Sequence, residues 1–144
     1  MVESFSPKEI RNQKIQVLML DDNGLSDQGL AYILDGLLYQ KGLESLNISQ
    51  NEMGPKCLQV LKQIFESQNS ANHMTEFRLS KIKFSSKYIF SSLLSDFNEC
   101  PFIGILAIKF NSFNLSSPID FPELNKFIAN NKSLIDLNLQ SCGL

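Results

Sequence analysis

One histidine, three cysteines and no tryptophan occur in 144 residues. So few ligands leave almost nothing from which to assemble a zinc site or a Ser-His-Asp set. His73 ends the polar run Glu66–His73, with no Ser or Cys at a telling spacing, and reads as a loop residue. Cys57, Cys100 and Cys142 have no regular spacing and no clear basic partner, which fits free thiols used as apolar fillers in a reducing compartment. No apolar run approaches the roughly 20 residues of a membrane helix. The first 14 residues hold no apolar core of signal-peptide length. Neither sign of charge dominates. Lys and Arg number 13 and Asp and Glu 15, for a net charge of −2, which argues against a basic nucleic-acid sleeve and against an acidic tail. No Gly-rich phosphate loop is present, and nothing in the sequence calls for a cofactor or a metal. Asp21, Asp22, Asn23 and Gly24 suggest calcium only at first sight, because a loop starting at Asp21 puts Leu25 and Ser26 where an oxygen ligand and a glycine are needed. The sequons at Asn47, Asn114 and Asn131 read as coincidence in an Asn- and Ser-rich chain without a leader.

What the chain does have is a repeat. Five segments share one template: Ile15–Leu25, Leu43–Met53, Met74–Phe84, Ile103–Phe113 and Leu134–Leu144. Positions 1, 4, 6 and 11 are apolar in all five, although only 43% of the chain is apolar. In a fixed register the chance of this is about 10⁻⁷, so coincidence is not a reasonable explanation. Positions 4 and 6 are two apart and point to the same face of a short strand. Position 9 holds Asn23, Asn51, Ile82, Asn111 and Cys142. An Asn there can satisfy backbone groups left open by the bend after the strand, and a buried amide left unpaired costs about 1–3 kcal/mol. Cys can do part of this as a weak donor. Ile82 cannot, so the third turn is expected to be looser or satisfied by a neighbour.

The starts at 15, 43, 74, 103 and 134 give periods of 28, 31, 29 and 31 residues. The stretches between strands carry helical spacing. Leu30, Ile33, Leu34, Leu37 and Leu38 form one such stripe. Leu58, Leu61, Ile64 and Phe65 form a second, Ile89, Leu93 and Phe97 a third, and Leu124, Phe127 and Ile128 a fourth. Ser26 and Ser86 are expected N-caps, and Pro55 and Pro118 fit first helical turns. Gly42 and Asn131 mark helix ends. Pro122 is expected to delay the fourth helix until after an irregular segment 114–121. Ser6, Pro7, Lys8 and Glu9 read as a capping box in a flanking segment 1–14.

The pattern L-x-x-L-x-L-x-x-N/C-x-L resembles that of leucine-rich repeats, from Ile15 to the last residue. The long period and the strand–helix alternation resemble the ribonuclease-inhibitor-like subfamily. The resemblance implies an α/β solenoid spanning residues 15–144, with a parallel β-sheet on the concave side and α-helices on the convex side. In such a fold strand positions 3, 5 and 7 look away from the helices. The candidate protein-binding residues on that face are Val17, Met19, Asp21, Asn47, Glu76, Arg78, Ile105, Lys109, Asp136 and Asn138, with Phe110 at the rim. Val17, Met19, Ile105 and Phe110 are apolar at positions expected to be exposed and are candidate anchors. Asn23, Asn51, Asn111 and Cys142 form the expected position-9 ladder.

The resemblance further implies a non-catalytic protein-interaction scaffold in the cytoplasm, with the cytoskeleton or a cilium as narrower settings. Its partners would be proteins rather than nucleic acid or membrane. The alternative is a GTPase regulator similar to the Ran GTPase-activating proteins, although those have more repeats and an acidic tail. The fifth repeat stops at Leu144 without the helix that should follow. Its leucines are therefore expected to need cover from more chain or from another subunit.

Overall fold

The computed structural model describes residues 14–40, 42–67, 74–100, 107–109, 120–132 and 134–140. Strands and helices alternate along the chain. β1 is Val17–Met19, followed by α1, Asp27–Asp35, which runs into a 3-10 turn at Gly36–Tyr39. β2 is Ser45–Asn47, β3 is Glu52–Met53 and α2 is Pro55–Glu66. β4 is Glu76–Arg78, β5 is Lys83–Phe84 and α3 is Ile89–Glu99. β6 is Ala107–Lys109, α4 is Asp120–Asn130 and β7 is Asp136–Asn138.

Five strands form one parallel sheet in the order β1-β2-β4-β6-β7, and β3 and β5 form a second small parallel pair. In both, spatial order follows chain order. The three-residue strands are extended by flanking bonds. Glu76 N donates to Glu44 O at 3.0 Å, Ile48 N to Arg78 O at 3.1 Å, and Gln50 N to Ser80 O at 2.9 Å. Leu20 N donates to Asn47 O at 2.8 Å.

The helices stack in chain order, α1 on α2, α2 on α3 and α3 on α4. Their apolar stripes meet strand positions 4 and 6. Leu46, Ile48, Phe77 and Leu79 are fully buried beside Leu34, Leu61 and Leu93. An aromatic run ties the layers together. Phe65 of α2 stacks on Phe97 of α3 at 4.4 Å, Phe77 of β4 meets Phe97 edge-on at 5.6 Å, and Phe127 of α4 lies 5.8 Å from Phe97. Such pairs add about 0.5–1.5 kcal/mol each beyond area burial. At both sheet edges the cover thins. Leu18, Leu20, Leu137 and Leu139 are only half-buried.

Helix starts follow local chemistry. Ser26 Oγ accepts the amide of Gly29 at 3.2 Å and caps α1. Gly54 precedes Pro55, the first residue of α2. Ser86 lies one turn before α3 instead of capping it, and its carbonyl accepts Ile89 N at 3.3 Å. Pro122 does not hold off α4. It is the third residue of a helix that starts at Asp120, within the first turn, where a missing N–H leaves no bond unmade.

The fourth strand departs from the sequence alignment. Ala107, Ile108 and Lys109 pair with Glu76, Phe77 and Arg78, so position 3 of that repeat is Ala107 rather than Ile105. The reason is parity. A slip of two residues keeps every side chain on its own face, and the apolar pattern fits both registers.

Asn51 holds the first two turns together. It is 3% exposed. Its Oδ1 accepts Leu25 N at 2.9 Å. Its Nδ2 donates to Leu20 O at 2.8 Å, Ile48 O at 3.0 Å and Ser49 O at 3.1 Å. Asn23, the equivalent residue one repeat earlier, is exposed and bonds only Leu20 O and Asp21 O. At Ile82 backbone replaces side chain: Lys83 N donates to Asn51 O at 3.0 Å and Ser85 N to Met53 O at 2.9 Å. The neighbouring chain thus closes the turn that lacks an Asn. Asn51→Ala should cost about 3 kcal/mol, because it strands buried groups on two repeats. Asn23→Ala should cost less than about 1 kcal/mol, because water reaches its site. Urea unfolding of the two variants checks this, and equal losses would contradict the bridging role of Asn51.

Candidate functional site

Among the described residues, the sheet has helices on one face only. On the other face lie the odd strand positions, and no described element packs over them. Parallel sheets are ordinarily covered on both faces, so an open one needs an explanation. Val17 is 58% exposed and Met19 50%. Both follow from strand geometry, since Leu18 between them turns toward the helices.

The face changes character from strand to strand. After Val17 and Met19 the chain reaches Asp21 and Asp22. On β2 and in the turn after it the polar residues are drawn in: Asn47 and Ser49 are buried, and Asn47 Oδ1 accepts Ser49 N at 3.1 Å. Asn138 Oδ1 accepts Gln140 N at 3.0 Å in the same way on β7. Ser49 Oγ in turn accepts Ser80 N at 2.9 Å. Asn47 is thus committed to its turn, and its burial leaves no room for a glycan. On β4, Arg78 Nε meets Glu76 Oε1 at 2.6 Å, and Ser45 Oγ donates to Glu76 Oε2 at 3.0 Å. This chain of bonds fixes the rotamers of the central strands before any partner arrives. Asp136 is exposed and Asn138 half-buried on β7. Lys109 lies at the register position between Arg78 and Asn138. Ile105, Phe110, Asn111, Cys142 and His73 lie outside the described residues, as does the expected capping box at residues 6–9.

Above this face the turns form a rim. Asp22, Gln50 and Lys81 occupy position 8 of three successive repeats, and all adopt left-handed backbone with φ of 56°, 59° and 53°. This conformation costs a side-chain-bearing residue roughly 1–2 kcal/mol. The recurring turn therefore takes precedence over residue preference. Beside the rim, Gly24, Leu25, Gln50, Asn51, Glu52, Lys81 and Lys83 line an open groove of about 230 Å³.

Two carboxylates, one half-buried and one buried, escaped sequence reasoning. Asp27, the first residue of α1, serves α2. Its Oδ1 accepts Gly54 N and Cys57 N, each at 2.8 Å, and its Oδ2 accepts Lys56 N at 3.2 Å. A carboxylate at a helix N-terminus satisfies open donors and complements the dipole. The approach is so close that a Cβ on Gly54 would lie 2.8 Å from Asp27 Oδ2. The other group is Asp96, buried on α3 and 3.4 Å from Lys62 Nζ on α2. Burial pushes its carboxyl above the usual range, and Lys62 only partly offsets this. Asp96 in turn holds the Lys62 ammonium above its ordinary value.

The two described thiols offer little reactivity. Cys57 is fully buried, and desolvation followed by the nearby Asp27 charge pushes it up to about 12. Cys100 is half-buried and raised, first by burial and then by surrounding carboxylates. A thiol held protonated is a poor nucleophile. Among the described residues no three His, Cys, Asp or Glu stand together as a metal cluster, and no helix is long and apolar enough to cross a membrane. Compared with protein-family models, curated proteins and solved structures, the chain finds no match.

Gln50→Gly should raise stability by up to about 1 kcal/mol, because glycine takes left-handed φ without steric cost. Gln50→Val should lower it. Urea midpoints of the two variants should move in opposite directions. A second expectation concerns pH. Folded Asp96 holds its proton to higher pH than the unfolded chain does, so the folded state binds more protons between those two values. Stability therefore falls as pH rises through that window, from about pH 4 upward. Asp96→Asn removes the fall, and its advantage over the wild type should grow as pH rises above about 4. A constant difference across that range would contradict a raised Asp96.

Proposed function

We propose that this chain is a leucine-rich-repeat segment and a non-catalytic protein-interaction scaffold, working within a larger cytoplasmic or cytoskeletal assembly. One observation carries the reading. The five-stranded parallel sheet leaves one face uncovered among the described residues, and that face is apolar at Val17 and Met19 and pre-ordered at Ser45, Glu76 and Arg78. Rigid polar groups beside exposed apolar ones make an economical binding surface, because little side-chain freedom is lost on contact. The in-order parallel strands, the helices stacked in the same order and the bridging Asn51 support the repeat assignment.

The test is positional. A photo-activatable amino acid is placed singly at Met19 and Arg78 on the sheet face, and at Tyr32 and Tyr39 on the exposed outside of the first helical unit. Irradiation in an extract of the native cells should give discrete adducts from the first pair and none from the second. Adducts from Tyr32 and Tyr39 alone would move the binding surface to the helices and end the sheet-face reading.

A further inference from the structure

The rim carries an order of charge that the repeat pattern does not require. Asp22, Gln50 and Lys81 share one backbone conformation and are all exposed. They follow strands that are neighbours in the sheet. Their side chains therefore leave the chain in the same direction, spaced by roughly one strand separation, about 4.8 Å. Read across the sheet, the rim is acidic, neutral, then basic. Asp22 and Lys81 stand about 10 Å apart, too far for an ion pair, and that distance is close to the screening length at physiological salt. Neither takes part in an ion pair among the described residues. Asp21 adds a second carboxylate at the acidic end. Lys83 adds a second ammonium at the other end, with Glu52 as its register neighbour in the small sheet.

Among the described residues, the exposed apolar side chains of the strand face lie at one end of this gradient. Val17 and Met19 belong to the strand that leads into Asp21 and Asp22. The strand that leads into Lys81 shows Glu76 and Arg78 instead, already bonded to each other. Hydrophobic and acidic features thus lie together, and the basic feature stands apart.

We propose that the face takes a protein segment crossing the strands, in which apolar side chains adjoin basic residues and acidic residues follow about 10 Å further on. The inference rests on the scaffold reading above and specifies its partner. Charges placed this way select among partners and set their orientation more than they add affinity. A phosphate backbone does not suit the face, since its apolar end is also its acidic end.

Two fluorescent peptides of identical composition test the rule. In one, Phe and Leu adjoin two Arg at one end, with two Glu at the other. In the isomer, Phe and Leu adjoin the Glu pair instead. Reversing either peptide end for end does not convert one into the other. By anisotropy at low salt the first should bind about tenfold more tightly, equivalent to 1.4 kcal/mol. The double variant Asp22→Lys, Lys81→Asp inverts the rim at constant net charge. Both residue types already occupy this left-handed turn, so the variant keeps the backbone. Its preference should fall to within about twofold. Equal binding of the isomers, no binding of either, or an unchanged preference in the double variant would overturn the proposal. If the photo-adducts at Met19 and Arg78 nevertheless form, the sheet face remains the docking surface and only the charge rule is lost.

Discussion

The structure depends on a way of ending a strand without wasting its backbone. The strands β1, β2 and β4 each run into a turn, and a turn leaves amides and carbonyls that the ladder no longer reaches. Asn51 resolves this for two repeats at once, with one carboxamide serving Leu20, Leu25, Ile48 and Ser49. Because the bonds cross from one repeat to the next, the turns stack at a fixed offset. Leu46 then lies beside Phe77, and each helix rests on the previous one. Asp27 repeats the principle on the helical side, since a residue of α1 closes the open start of α2. Stability of this kind comes from nearest neighbours, as expected when each unit cannot bury its own apolar face.

The arrangement also decides where a partner could sit. Helices can cover only the face that positions 4 and 6 point to. The opposite face keeps whatever positions 3, 5 and 7 hold, and the fold does not constrain them in the same way. They can therefore vary from strand to strand: Val17 and Met19 on β1, drawn-in Asn47 on β2, a bonded Glu76 and Arg78 on β4. A proposed binding role for that face rests on this freedom, not on any resemblance of the residues to a known site.

Much of the framework could be read from the sequence because it repeats. Leu18 and Leu20, Leu46 and Ile48, and Phe77 and Leu79 announce one strand face by parity, and Pro55 and Ser26 mark helix starts. Asn51 stood out as a polar residue at a fixed place in an apolar template. Other features carried no such mark. A two-residue slip conserves parity, so the alignment could not distinguish Ile105 from Ala107 opposite Glu76. Asp27 resembles any acidic residue in a first helical turn, and nothing local reveals that it bonds Gly54, far along the chain. Asp96 did leave a trace, because it falls between Leu93 and Phe97 on an otherwise apolar stripe. The left-handed φ shared by Asp22, Gln50 and Lys81 was hidden because their chemistries differ while their backbones agree.

The bond from Asn51 to the preceding turn holds the repeats in register, and hydrogen exchange at the Leu25 amide measures it most directly. Leu25 is outside every described strand, and among the described residues its amide meets only the side-chain oxygen of Asn51, at 2.9 Å. If that carboxamide locks the turns together, the Leu25 N–H exchanges as slowly as the ladder amides of Leu20 and Ile48. Exchange at the rate of an open loop amide, with Leu20 and Ile48 still protected, would contradict it.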